Sequence, residues 1–291
     1  MVRGFLSLVC TSTPRIPCMR TLQFLHQPHS VRSAYKSISC FVIEQSDTRS
    51  RTVMSLGNKD YSTDIRDLRI KYKDKSETFT EDDLISKEPI GQFKVWFEEV
   101  RNTPQILEAN AMLLATATRN GVPSLRAVLL KGFSKEGFKF YTNYESRKGR
   151  ELDENPHVAL TFYWEFLHRS VRIEGVAEKT SAEDSDLYFK SRPYANQIGS
   201  MASKQSSVIA NRQTLIVKER ELLATFPENQ VERPACWGGY LVVPHSIEFW
   251  QGQSDRLHDR IRFRRPKMNE KIDNILVHEG EDGWVYERLS P

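Results

Sequence analysis

Hydrophobic and polar positions change period several times along this chain, and each change marks an element. In PIGQFKVWFEEV, Ile90, Phe93, Trp96, Phe97 and Val100 recur three or four residues apart, which predicts an amphipathic helix opening near Pro89. The period then shortens. AMLLATAT and SLRAVLLK flank RNGVP, whose Asn120-Gly121 pair favours a hairpin turn. FKFYTN, HVALTFYW and RSVRIEGVAEK follow as further strands. Helical spacing returns over 180–226. Thr180/Ser181 with Glu183/Asp184 make capping-box pairs that open one helix. Pro193 ends that helix or starts another, and a longer helix is predicted from about Ser207 to Phe226. GGYLVVP, SIEFW, RLHDRIRF and WVYERL resume strand, and 266–280 reads as an exposed polar loop. Short strands with little helix between them predict a mainly β chain with added helices, an antiparallel barrel rather than alternating βαβ units.

The ends and the charge add organisation. Residues 1–43 hold five basic residues (Arg3, Arg15, Arg20, Arg32, Lys36) and no acid, with many Ser and Thr. That composition is shared by organelle transit peptides and by plain disordered extensions, and it leans toward a mitochondrial address; cytoplasm or mitochondrion is the expected location. Residues 1–60 read as this extension, 61–88 as a charged linker, and 89–291 as the folded domain. Net charge is +4 over 291 residues; outside the extension the two signs nearly balance, which argues against a nucleic-acid binder. No apolar run approaches the roughly 20 residues of a membrane helix. Three of the four cysteines (Cys10, Cys18, Cys40) lie in the extension, leaving Cys236 alone in the body; a lone cysteine makes no internal disulfide, and structural zinc is not expected.

One stretch concentrates charge. From Arg256, the residues Arg256, His258, Arg260, Arg262 and Arg264 alternate with Leu257, Asp259, Ile261 and Phe263. On one extended strand, alternate residues share a face. Five potential cations in a row call for a bound anion or for acids on the neighbouring strand, and the pattern favours the anion. No glycine-rich phosphate loop is present, so a phosphate would be held by side chains, Arg through its planar fork and Lys as a point charge. Arg126 and Lys131 are placed on opposite faces of the second strand by their odd spacing; Arg147 and Lys148 follow a later strand. Tyr188 and Arg192, four apart, share a helix face and could both hydrogen-bond a phosphate, although an Arg on a helix more often pairs with a nearby acid.

Longer motifs carry a resemblance. RAVLLKGF, FYTNYESRKGREL, FYWE, VRIEG, SRPYANQIG, KQSSVI, WGGY, EFWQGQSDRLHDRI and YERLSP, in that order from about Leu68 to Pro291, resemble the pyridoxine (pyridoxamine) 5'-phosphate oxidases. The resemblance implies an FMN-binding split β-barrel, an antiparallel Greek-key barrel working as a homodimer with FMN at the interface. It implies oxidation of pyridoxine 5'-phosphate or pyridoxamine 5'-phosphate to pyridoxal 5'-phosphate, with molecular oxygen as acceptor and hydrogen peroxide as product. Carried over by position, the cofactor set is Arg126, Ala127, Val128, Leu129, Tyr141, Thr142, Arg147, Lys148, Ser170, Gln205, Ser206, Trp250 and Arg260. The substrate set is Lys131, Tyr188, Arg192, Asn196, Arg256, Leu257 and His258, with Arg256 and His258 as the catalytic pair over the substrate ring. Arg69 and Tyr72, in LRIKY, resemble a mobile cover. Two positions depart from the family: Ser170 stands where Gln is usual and Asn196 where Ser is usual, though both can still hydrogen-bond. A second class, a split-barrel protein that binds flavin or pyridoxal phosphate without turnover, would be expected to lose Arg256 or His258; both are present.

Overall fold

A computed structural model describes residues 64–73 and 77–291. The expected extension at 1–60 and its address therefore lie outside the described residues, as does part of 61–88. The helix predicted at Pro89 is α1 (Pro89–Arg101). The Glu88 carboxylate caps it by accepting from the Ile90 and Gly91 amides, and proline at the first position sacrifices no helical hydrogen bond. Its apolar stripe is wholly buried: Phe93 meets Phe133 and Phe138 edge-on and lies 5.2 Å from Phe162. Each such ring contributes about 1.5–3 kcal/mol by leaving water.

The chain continues through β1 (Ala111–Ala117), β2 (Pro123–Leu129), β3 (Gly132–Ser134), β4 (Gly137–Asn143), α2 (Arg147–Glu154), β5 (His157–Trp164) and β6 (Arg169–Lys179). The β1–β2 turn uses Gly121 at φ 81°, a conformation costly for residues with a Cβ. The helical insertion is α3 (Ala182–Ser191), α4 (Tyr194–Ala202) and α5 (Arg212–Thr225); β7 (Trp237–Gln251), β8 (Asp259–Arg264), β9 (His278–Glu279) and β10 (Val285–Arg288) complete the fold. These ten strands pair antiparallel, in the order β2-β1-β5-β6-β7-β8-β10-β9, with β4 pairing β7 and β3 pairing β4.

Several expectations are corrected. GGYLVVP and SIEFW are one strand: β7 runs fifteen residues through Pro244, where the register against β6 shifts between Glu174 and Gly175. A Cβ at Gly175 would sit 2.4 Å from the Val243 carbonyl oxygen, so this close approach requires glycine. The long helix starts at Arg212 rather than near Ser207, because Asn211 accepts from the Thr214 amide and sets the start there. The loop at 266–280 contains the short strand β9. β2 ends at Leu129, so Lys131 lies beyond the strand and alternation does not decide its face. RLHDRIRF is not one strand either. Arg256 has φ 70°, β8 begins only at Asp259, and Arg256 and His258 belong to the loop before it.

Within β8, Ile261 and Phe263 are fully buried while Arg260, Arg262 and Arg264 face outward. Asp259 falls in the inward register. It is buried and accepts from the Phe79 amide (3.0 Å), Gln253 Nε2 (2.9 Å) and Arg288 Nη1 (2.9 Å), so one carboxylate ties the N-terminal segment, the Arg256 loop and the last strand together.

Candidate functional site

The residues singled out by sequence fall into two groups. The first lines a cavity of about 520 Å³ between the end of β2, β4, the start of α2, and helices α3 and α4. Ala127, Val128, Leu129, Lys131, Tyr141, Thr142, Lys148, Tyr188, Arg192, Asn196 and Gln205 all face it. Ser146 caps α2 by accepting from the Gly149 amide, which seats Lys148 in the first turn. Lys148 Nζ donates to Gln205 Oε1 (2.8 Å) and Thr142 Oγ1 (3.0 Å). Burial, and then the nearby Arg126 charge, push its ammonium down from the usual 10.5 to about 8. Arg192 donates to Ser200 Oγ (2.6 Å), and burial lowers its pKa as well. Among the described residues, neither Lys131, Lys148 nor Arg192 makes an ion pair with a carboxylate. Three cations thus face one cavity without an acid. Tyr141 stacks on Tyr188 at 3.9 Å, and burial followed by its 2.7 Å bond to Asp184 raises its phenol well above the ordinary value.

Arg126 and Arg147 do not line this cavity; both are held by Glu151, which is 5% exposed. Burial works against that carboxylate, but donors from Ser124, Thr116, Arg147 and Arg126 overcome it and hold the pKa at about 2. Arg126 also donates to the Leu114 carbonyl (3.1 Å). Ser206, at φ 72°, accepts from the Arg147 amide (3.1 Å).

The second group gathers on the outer face of β5–β8. Ser170 pairs across the sheet with Trp250, and Trp250 with Arg260. A separate cavity of about 330 Å³ is lined by Thr161, Tyr163, Ser170, Arg172, Glu248 and Trp250, with no residue in common with the first. His258 lies 4.9 Å from the Trp250 ring and accepts at Nδ1 from the Gln253 amide (3.0 Å). Burial and then Arg256 lower its pKa. Tyr72 reaches this group: its ring is 4.5 Å from His168 and 6.3 Å from Trp250, and the Arg256 guanidinium lies 5.7 Å from it. Ser254 fixes the segment through the Tyr72 and Lys73 carbonyls. Arg69 and Leu257 are exposed and reach neither cavity.

The alternating cations resolve differently from the sequence preference for an anion. Arg260 is held by Glu248 (2.8 Å) and the Ser290 carbonyl, Arg262 by Glu287, and Arg264 by Glu287 (2.9 Å) and Glu270 (2.6 Å). Acids on the neighbouring strands therefore partner most of the row. Sequence reasoning missed Glu151, Glu248, Ser200 and Trp237. The spacing of Glu151 four residues after Arg147 was a usable signal; the other three needed strand register or tertiary contact.

Two family models match: "Pyridoxamine 5'-phosphate oxidase" over residues 98–226, and "Pyridoxine 5'-phosphate oxidase C-terminal dimerisation region" over 237–291. The pyridoxine/pyridoxamine 5'-phosphate oxidase of Bombyx mori is 57% identical, covering 80% of this chain and 91% of the relative. The pyridoxine-5'-phosphate oxidase of Bos taurus is 50% identical, covering 83% and 93%. Among solved structures, PhzG from Burkholderia lata, crystallised with tetrahydrophenazine-1-carboxylic acid, superposes with a TM-score of 0.63 at 31% identity, covering 73% of this chain and 97% of that one. A pyridoxamine 5'-phosphate oxidase-related, FMN-binding protein from Nostoc punctiforme has a TM-score of 0.51 at 16% identity, covering 69% and 96%, and shares the fold.

Proposed function

Because this chain belongs to the pyridoxine/pyridoxamine 5'-phosphate oxidase family, oxidases of vitamin B6 metabolism with a split-barrel fold, we propose that it oxidises pyridoxine 5'-phosphate and pyridoxamine 5'-phosphate to pyridoxal 5'-phosphate, with FMN as cofactor and oxygen as acceptor. The observation that carries this reading is the first cavity, where Lys131, Lys148 and Arg192 stand without carboxylates. Lys148 is buried and Arg192 half-buried, while Lys131 stays exposed at the rim; cations removed from water are costly unless an anion completes them.

The donor set fits FMN. Lys148, Thr142 and Gln205 converge at one part of the cavity, backed by the Glu151-clasped Arg126 and Arg147. Lys131, Tyr188, Arg192 and Asn196 offer a second phosphate grip in the same cavity. FMN held there would supply a hydride acceptor that oxygen can reoxidise, with hydrogen peroxide as the product. The protein binds, orients and shields. Lys131 and Arg192 anchor the substrate phosphate; Arg256 and His258 hold the ring, and His258, whose pKa burial and then Arg256 lower, is placed to take a proton from the substrate alcohol or amine.

Within one chain Trp250, Arg256, His258 and Arg260 do not line the phosphate cavity. A complete site needs a second copy to bring them, so the working unit is a homodimer with a site at each interface; the match to a dimerisation region over 237–291, which spans β7 to the C-terminus, supports this. The deciding experiment is the visible spectrum of purified protein, taken anaerobically before and after pyridoxine 5'-phosphate. A flavin spectrum that bleaches and returns with air is expected. A flavin that stays oxidised with both vitamers, or protein that stays colourless with added FMN, overturns the reading.

A further inference from the structure

Trp237 is the first residue of β7 and lines the phosphate cavity, yet it is only 6% exposed. Three groups of that cavity converge on its ring. The Arg192 guanidinium carbon lies 4.7 Å from the indole centroid. Tyr188 and Tyr141 lie nearly parallel to the indole, with centroids at 6.1 Å and 5.7 Å, and stack on each other at 3.9 Å. Phe189 closes the indole edge-on at 5.3 Å. The backbone that carries this ring is pinned on both sides: the Trp237 main-chain amide donates to the Pro234 carbonyl (2.9 Å), and the Trp237 main-chain carbonyl accepts from Arg233 Nη1 (2.7 Å).

Arg192 needs such a support. It follows the last residue of α3 and precedes Pro193, so its backbone is extended (ψ 147°) and its side chain leaves the helix. No carboxylate pairs with it among the described residues, and Ser200 Oγ engages one nitrogen. An indole face is the strongest aromatic partner for a cation, and a ring holds a guanidinium without neutralising it.

We propose that Trp237 is a positioning residue for substrate phosphate: its ring holds Arg192 and the Tyr188–Tyr141 pair in the orientation that receives the anion, in place of the carboxylate that would hold an ordinary arginine. An acid there would compete with phosphate; an aromatic face leaves the charge available. The proposal rests on reading Lys131, Tyr188 and Arg192 as the phosphate grip.

The test measures inorganic phosphate binding to the full cofactor-free chain by calorimetry, alongside steady-state kinetics of the holoenzyme. Trp237→Phe keeps a π face, and Trp237→Leu keeps an apolar filler without one. In Trp237→Leu the phosphate Kd rises about ten-fold, or about 1.4 kcal/mol, and KM for pyridoxine 5'-phosphate rises similarly with kcat little changed. Trp237→Phe stays within about three-fold of wild type. Wild-type affinity in Trp237→Leu, or an equal loss in both variants, overturns the role. Should Trp237→Leu fail to fold, the indole N–H resonance missing from Trp237→Phe serves instead: in wild-type protein it shifts on phosphate titration, and a static resonance overturns the role. If wild-type protein binds no phosphate at all, the grip itself is misread and the proposal falls with it.

Discussion

Two cationic regions of this chain look alike in composition and behave oppositely. Along β8, Arg260, Arg262 and Arg264 each meet a carboxylate, from Glu248, Glu287 or Glu270. In the cavity beside β4, Lys131, Lys148 and Arg192 meet none, and two of them are pushed toward losing their protons by burial. The row is denser in charge, yet most of its charge is spent internally. What marks an anion site is a buried cation lacking a partner, and a count of basic residues does not reveal that.

The sharpest way to break this comparison is to separate the half-sites. Arg192→Ala and Arg256→Ala chains are each expected to be nearly inactive alone. Co-refolded in equal amounts, half of the dimers are mixed, and each mixed dimer carries one site built from two intact halves, so about a quarter of wild-type activity returns. No recovery on mixing would mean that one chain supplies the whole site. A smaller effect separates scaffold from site. Glu287 is kept ionised by Arg264 and Arg262 against the pull of burial. Glu287→Gln should lower unfolding stability by about 1–3 kcal/mol and leave KM for phosphorylated substrate unchanged; a raised KM would make the row part of the phosphate machinery.

The smallest effect concerns pH. With its pKa depressed to about 8, Lys148 is charged below that value and neutral above it. Phosphate affinity of cofactor-free protein should therefore weaken several-fold between about pH 7 and 9, and Lys148→Arg, which keeps its proton, should flatten the profile. An equally steep profile in the arginine variant would assign the titration elsewhere.

Much of the architecture was legible because it is periodic. α1 shows its buried stripe at three- and four-residue spacing, and the Asn120-Gly121 turn announces the β1–β2 hairpin. The candidate set was legible through long motifs, but its division into two groups was not. That division depends on register: Ser170 meets Trp250 and Trp250 meets Arg260 across β6, β7 and β8. The row was misjudged for the same reason. Glu248 lies twelve residues before Arg260, and only the β7–β8 pairing brings them together. Alternation also continued on paper through Arg256, where a positive φ had already broken the strand.

Asp259 gives the chain's last residues a weight that their position hides. Arg288 is the only guanidinium on that buried carboxylate among the described residues, and the two residues after it also hold Arg260, through the Leu289 amide on its carbonyl and the Ser290 carbonyl on its side chain. A protease that trimmed the final four residues would remove no core side chain. It would nonetheless strand an anion inside the barrel, loosen the anchor of the Phe79 segment and untie an arginine beside Trp250. Arg288, Leu289 and Ser290 together work as a locking pin on the strands they close.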